Sequence, residues 1–412
     1  MSQKVPIVID ACGPSPTIHQ YKEVKRPLIE AFLRARPNLE YLGTISFQGP
    51  RLAPRPSGPP PRYEPQIELS WHDTLFTACR SKYEEEDETL MKAVVQEEYG
   101  PPDVLELKDV DKPVVGDDDL LVRVHAAAVH PGDYFVMTGV PYLVRLAFGL
   151  RKPRNGVPGR DVAGVVEAVG KNVTRFQPGD EVFGWCATGA LAEYACAEEG
   201  NFAPKPTNLT LEQAAAVTVS ATTALQALRD KGEVQSGQKV LITGASGGVG
   251  TFAVQIAKSL GAEVTGVCST RNVDMVRSIG ADHVIDYTKE DFTQGEQRYD
   301  LILDNAEAHS LSECRRVLAP RGTYIPNRGS GGRWIGPLGR IAKARAVSLL
   351  VRQRLRPFLS KENNEDLVRL KELIESGKVT PVIDKTYSLG ESAKALAYVA
   401  EGHARGKVVI TV

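Results

Sequence analysis

The chain has 412 residues, 42% hydrophobic and 25% charged, and a formal net charge of −1. That length holds two or three domains, the composition is that of a soluble globular protein, and the balanced charge gives no overall electrostatic case for nucleic acid. The six cysteines (Cys12, Cys79, Cys186, Cys196, Cys268 and Cys314) are scattered without a CxxC pair, which fits a reducing, cytoplasmic setting and excludes a clustered zinc motif.

Residues 1–90 hold 12 of the 27 prolines but only 4 of the 37 glycines, unlike the rest of the chain. Residues 50–65 (PRLAPRPSGPPPRYEP) read as an extended, partly polyproline linker, and 84–88 (EEEDE) as a solvated acidic run. Segments at 6–10, 27–34 and 41–46 suit a small β-α-β piece, although ninety such residues bury little core alone. Met91 then opens MKAVVQEEYGPPDVLEL, which reads like a protein start. The first 90 residues are therefore read as a partly disordered N-terminal extension, compatible with an upstream fusion, a regulatory arm or a misassigned start. No apolar signal-peptide core is present at the N-terminus.

From 91 to about 216, short strands alternate with Gly and Pro turns, as at 120–126 (LLVRVHA), 161–169 (DVAGVVEAV) and 181–184 (EVFG). This pattern predicts a compact β-rich domain. The apolar run 214–228 is too short and too rich in Thr and Ser to span a bilayer. A βαβ region follows, from 217 to 377. Its most informative stretch is Gly244-Ala245-Ser246-Gly247-Gly248-Val249-Gly250. A predicted strand, 239–243 (KVLIT), precedes it. A predicted helix, 251–260, follows, with Ala253, Ile256, Ala257 and Leu260 on one face.

Strand, glycine turn and helix make the context of a dinucleotide-binding fingerprint, here with Ala245 at the first glycine position. The glycines admit a pyrophosphate to the backbone, and the helix N-terminus offers N–H groups and a positive dipole end. Further strands are predicted at 262–269, 282–287, 301–305 and 323–327, with helices between them at 273–279 and 311–318. The alternation predicts a doubly wound parallel sheet that binds its ligand at the strand C-terminal ends. Residues 378–412 return to strand-like segments such as 407–412 (KVVITV), predicted to rejoin the first β domain and leave the nicotinamide in the cleft between the two.

The end of the second strand indicates which dinucleotide binds. An NAD site carries Asp or Glu there, accepting from the ribose 2′-OH. The stretch here is Cys268-Ser269-Thr270-Arg271-Asn272, with no acid. A guanidinium and two hydroxyls match a 2′-phosphate, so NADPH is the expected cofactor.

From Met91 to Val412 the chain resembles the medium-chain dehydrogenase/reductase superfamily. Within it, the likeness is to the zinc-independent quinone oxidoreductases, the group with zeta-crystallin-like and reticulon-4-interacting-protein-like members. The resemblance rests on YGPPDVLEL, His130-Pro131-Gly132-Asp133, PGRDVAGVVEAVG (158–170), FQPGDEVFG (176–184), LAEYA (191–195), GASGGVG (244–250) and GADHVIDY (280–287), in that order. It implies an α/β fold: a Rossmann doubly wound parallel sheet over 217–377, and a GroES-like β-rich catalytic domain over 91–216 and 378–412. It also implies pyrophosphate contacts from Ser246, Gly247, Gly248 and Val249, and 2′-phosphate contacts from Ser269, Arg271 and Tyr287. Asn305 and Thr223 are implied on the nicotinamide side.

Zinc-dependent members place metal ligands where this chain has His130 and Arg160, and no Cys lies between Cys196 and Cys268. No metal is expected, because a catalytic zinc typically takes three protein ligands. His130 stands where the family often has Asn. It reads either as a hydrogen-bond donor to a substrate carbonyl or as a loop His bonded to backbone. The family tyrosine two residues after Asp133 is Phe135, which makes Tyr134 the candidate in its place. Ala306-Glu307 replaces a usual Val-Gly.

Between Glu313 and Lys361 there is no acid but there are eleven basic residues, from Arg315 to Arg356, interleaved with apolar ones. The stretch suits a peripheral membrane contact, a quinone entry, or a lid or subunit contact. The expected function is NADPH-dependent, zinc-independent hydride transfer to quinones or α,β-unsaturated carbonyls, by a cytoplasmic homodimer without a nucleic-acid partner. The alternative is a non-catalytic NADPH-binding interaction protein.

Overall fold

The computed structural model describes residues 89–412 apart from 155, 188, 328–343, 345 and 349–350. The Pro-rich linker, the acidic run, the β-α-β piece and the centre of the basic stretch lie outside the described residues.

Six parallel strands form one sheet in the order His283–Asp286, Glu263–Cys268, Lys239–Thr243, Tyr299–Asp304, Leu318–Pro326 and Arg354–Leu355. Numbered along the chain this is 3-2-1-4-5-6, the order of a dinucleotide-binding sheet whose switch point lies beside its first strand. Val240, Leu241 and Ile242 of that strand are fully buried, as a parallel strand covered on both faces must be. The helix after it, Gly248–Ser259, starts three residues before the apolar spacing indicates, because Gly248 and Gly250 carry no side chain to report a period. The fifth strand starts at Leu318, not near Thr323. A register shift against Tyr299–Asp304 absorbs Pro320 and Gly322, which read as a turn in the sequence.

A second, seven-stranded sheet runs Ile383–Ser388, Lys407–Thr411, Asp119–Val129, Asp161–Val169, Glu181–Trp185 and Phe202–Pro204, with Tyr194–Glu198 also paired to Asp119–Val129. The C-terminal strand lies antiparallel on Asp119–Val129, with Val409 opposite Ala128. The tail is not all strand: Ala395, Leu396 and Val399 bury one face of a helix, Ser392–Ala400. The apolar run 214–228 becomes parts of two short helices, Leu211–Ala215 and Thr218–Gln226. Among the described residues no helix is long and apolar enough to cross a membrane. Ala221, Ala224 and Leu225 of the second helix share one buried cluster with Ala163 and Phe183 of the seven-stranded sheet and Phe252 and Ile256 of the fingerprint helix. One continuous core therefore fixes the two sheets relative to each other.

Glu375, at the end of helix Asn364–Glu375, adds a polar tie. Its Oε1 accepts from the Thr207 N–H (2.9 Å) and Oγ1 (3.0 Å), and its Oε2 from Lys371 Nζ (2.6 Å). Hydrogen bonding to Lys371 first, then to Thr207, lowers its carboxyl to about 2. A depressed carboxylate contributes stability above its unfolded value, and that contribution disappears as pH falls through the folded value. Glu375→Gln should therefore flatten the fall in melting temperature between about pH 4.5 and 2. An unchanged slope in a pH series of melts would contradict this.

Candidate active site

The glycine turn is built by exclusion. Gly244 takes φ +60°, and a Cβ on Gly250 would collide with the Gly244 carbonyl oxygen. Gly247 is the N-cap of the fingerprint helix, and no side chain caps it. The N–H groups of the first turn, at Gly248 and Val249, are therefore left for an anion.

Ser246 and Ser269 are brought together by Asn272, which sequence reasoning passed over. The buried Asn272 donates through Nδ2 to Ser246 Oγ (3.0 Å) and Ser269 Oγ (3.2 Å), while its Oδ1 is buried without a partner. Each serine hydroxyl accepts from Asn272, so each keeps its own O–H to donate. Arg271 Nη2 donates to the His403 carbonyl (3.0 Å), which holds the guanidinium at the strand end with donors to spare. Tyr287 is largely exposed, and its N–H donates to the Cys268 carbonyl (3.0 Å).

An acid does stand beside this strand end, on the neighbouring strand: Asp286 pairs in register with Cys268. Its Oδ2 accepts from Thr270 Oγ1 (2.7 Å) and Lys289 Nζ (3.1 Å), and its Oδ1 from Thr288 N (3.1 Å) and Oγ1 (2.8 Å). The Thr270 hydrogen bond above all holds this carboxyl far below the usual range. Its four acceptor positions are taken, which leaves none for a ribose hydroxyl.

Asn305 backs the glycine turn. Its Nδ2 donates to the Thr243 carbonyl (3.0 Å), its N–H to Thr243 Oγ1 (2.9 Å), and its Oδ1 accepts from Asn327 Nδ2 (2.7 Å). Beyond it Glu307 has φ +56°. The usual glycine would take this conformation freely, so the loop keeps its course at a backbone cost. Glu307→Val should destabilise by about 1–2 kcal/mol in denaturant titrations, because β-branching suits this region least. A stability equal to the parent's would show the loop relaxes. Thr223 Oγ1 lies 2.7 Å from the Val219 carbonyl, to which it donates, and 2.9 Å from Ser360 Oγ.

His130 is the N-cap of helix Pro131–Thr138. Its Nδ1 accepts from the Gly132 N–H (3.0 Å), and its own N–H donates to Asp133 Oδ2 (2.8 Å). Burial raises the Asp133 carboxyl. The backbone-bonded reading thus holds for one ring nitrogen. The other, Nε2, is buried and has no partner. With Nδ1 accepting, the neutral ring carries its proton on Nε2, a tautomer assigned from this network. The Tyr134 ring packs against the core of the seven-stranded sheet, while Phe135 beside it is exposed.

A buried ion pair ties two strands of the seven-stranded sheet to the start of helix Thr218–Gln226, beside the fingerprint. Lys407 Nζ donates to Asp161 Oδ2 (3.0 Å) and Ser220 Oγ (3.1 Å), and Asp161 Oδ1 accepts from the Val219 N–H (3.1 Å). Lys407 Cδ stands 3.4 Å from where a Gly248 Cβ would be. Sequence reasoning missed this pair, although a charge opening an apolar strand, as in KVVITV and DVAGVV, is its visible signal.

Residues 116–207 match the alcohol dehydrogenase GroES-like domain, and residues 279–410 match the zinc-binding dehydrogenase family. The two lobes are thus those of a dinucleotide-dependent dehydrogenase/reductase. The chain is 34% identical to the mitochondrial NAD(P)H oxidoreductase RTN4IP1 of Mus musculus, over 79% of this chain and 90% of the mouse protein. It is 34% identical to the 2-methylene-furan-3-one reductase of Solanum lycopersicum, over 78% of this chain and 79% of that protein. The structure of the quinone oxidoreductase from Coxiella burnetii superposes with a TM-score of 0.69 at 30% identity, covering 78% of this chain and 99% of that one. The chain belongs to the medium-chain dehydrogenase/reductase superfamily, in its quinone-oxidoreductase-like group of enzymes.

The zinc in one family name does not fit the donors present. Arg160 pairs with Glu362 (3.2 Å), His130 Nδ1 is spent on backbone, and burial pushes the Cys186 thiol up to about 12. Among the described residues no three His, Cys, Asp or Glu side chains group to hold a metal ion.

Proposed function

We propose that the enzyme reduces quinones or α,β-unsaturated carbonyls with NADPH and without zinc. The lobes are divided as 91–216 with 378–412, and 217–377. The observation that carries the cofactor reading is the strand end where Ser269 and Arg271 offer donors and Asp286 has no acceptor left. Ser246, Gly247, Gly248 and Val249 hold the pyrophosphate, with the stem of Lys407 packed beside Gly248. Ser269, Arg271 and Tyr287 hold the 2′-phosphate. Thr223 and Asn305 shape the nicotinamide side. NADPH, when bound, supplies the hydride.

His130 Nε2–H donates to the carbonyl oxygen of the acceptor and stabilises the charge that gathers there. A conjugated acceptor spreads that charge itself, so one neutral donor suffices where a simple ketone needs a Lewis acid. Tyr134 is kept as a second candidate on the same helix.

Steady-state assays with NADPH and NADH against quinones, enones and primary alcohols test the reading. The expected pattern is turnover of the conjugated acceptors, near-inactivity on alcohols, and insensitivity to chelators. Efficient alcohol oxidation, or chelator loss restored by zinc, would overturn it. Absence of all turnover would favour the non-catalytic NADPH-binding alternative. His130→Ala should lower kcat/KM only about 2- to 10-fold, the worth of one neutral hydrogen bond.

We further propose a homodimer, which sedimentation tests. The basic stretch 315–356 suits a peripheral membrane contact. A cytoplasmic location rests on the scattered cysteines, whereas the mouse relative is named mitochondrial.

A further inference from the structure

Away from the dinucleotide cleft, at the edge of the parallel sheet, Ser312, Arg315, Arg316, Pro320, Arg352 and Gln353 line an open concavity of about 310 Å³. Three of these are arginines, and among the described residues no acid lines the hollow. Two nearby arginines are engaged elsewhere: Arg354 and Arg356 share Glu233, at 3.1 and 2.7 Å. Glu313, one turn away on the same helix, is spent on Ser310, whose N–H and hydroxyl both lie 2.8 Å from Oε2. Arg316 and Arg352 are exposed and form no side-chain hydrogen bond or ion pair among the described residues.

The third arginine is held in place. Gln353 Nε2 donates to the Arg315 and Leu318 carbonyls (3.0 and 3.2 Å), which fixes the amide, and its Oε1 accepts from Arg315 Nε (2.8 Å). Arg315 is thereby pinned by one nitrogen while its two terminal nitrogens remain unspent. A guanidinium so fixed has lost its rotational freedom before any ligand arrives, which lowers the entropy cost of binding. The short helix Leu311–Arg316 ends here, and its carbonyl end favours cations. That preference accounts for the two arginines of the last turn, Arg315 and Arg316, but not for Arg352 reaching the same hollow from another segment.

We propose that this hollow binds a phosphate monoester, a compact dianion whose oxygens match the paired donors of arginine. The site is independent of the cofactor's phosphates and of the reductase reading. A free phosphorylated metabolite and a phosphatidic-acid headgroup present the same chemistry. The full chain, saturated with NADPH so that the cofactor site is occupied, is titrated with inorganic phosphate by calorimetry and floated with phosphatidylcholine vesicles with and without phosphatidic acid.

The expected result is binding that Arg316→Gln/Arg352→Gln weakens at least about tenfold while NADPH affinity stays as in the parent. Both arginines are exposed, so the fold should survive. If the double variant loses NADPH binding, the single Arg352→Gln variant is read in its place. Phosphate binding without vesicle binding assigns a soluble ligand. Flotation that needs phosphatidic acid and is lost in the variant assigns a lipid headgroup. Equal behaviour of parent and variants in both arms overturns the proposal.

Discussion

Replacing Lys407 with methionine is expected to destabilise the protein by about 3–5 kcal/mol. The side chains of Lys407 and Asp161 are only 2% and 0% exposed, so neither charge is hydrated in the folded state. Methionine keeps the length of the stem and opens no large cavity. What it removes is the cation 3.0 Å from Asp161 Oδ2, leaving a buried carboxylate with the Val219 N–H as its remaining hydrogen-bond donor. The penalty is the cost of stranding that charge, not the net worth of the pair. A second change separates the two. Asp161→Asn/Lys407→Met removes both charges, and the new amide oxygen still accepts from Val219. The double variant should recover most of the loss in a double-mutant cycle. A single-variant loss below about 1 kcal/mol would mean that water reaches the pair. NADPH affinity should fall in the single variant, which leaves the Asp161 charge unbalanced beside the fingerprint, and recover in the double variant.

The same pair marks where sequence reading stops. The strand, glycine turn and helix at 239–260 are readable because local chemistry dictates them: an apolar run, residues without side chains, then a helical period. The division into a β-rich part and a βαβ part follows from repeated patterns of that kind. Lys407 and Asp161 lie 246 positions apart, and nothing local to either strand names the other. Asp286 shows a subtler limit. Counting along the chain from the fingerprint places no acid at the second strand's end, which is true of that strand. The parallel neighbour brings Asp286 into register with Cys268 regardless, and only the side-chain network shows that its oxygens are already occupied. His130 divides likewise. That it is a polar residue opening a helix is legible from His-Pro-Gly-Asp, but which ring nitrogen is spent and which is free depends on a backbone N–H two residues on.

Arg271→Ala is expected to weaken NADPH binding by about 1.5–3 kcal/mol, roughly 10- to 150-fold, and NADH binding much less. A guanidinium bonded to a phosphate dianion makes charge-assisted contacts that a ribose hydroxyl cannot return. Arg271 starts from a defined position, because the His403 carbonyl already takes one of its protons. Its free counterpart in NADH-type sites is an acid, and here the nearby acid is closed off by Thr270, Thr288 and Lys289. Opening it should move preference the other way. Thr270→Val/Thr288→Val strips two hydrogen bonds from Asp286, one on each oxygen, and keeps the backbone N–H at 288 on Oδ1, so the carboxylate regains acceptor capacity and its pKa rises towards the ordinary value. NADPH affinity should then fall through repulsion while NADH affinity holds or improves. Fluorescence titration of both cofactors against parent, Arg271→Ala and the double valine variant makes the comparison. Equal losses for NADPH and NADH in Arg271→Ala would mean that the guanidinium only braces the His403 loop and reads no phosphate.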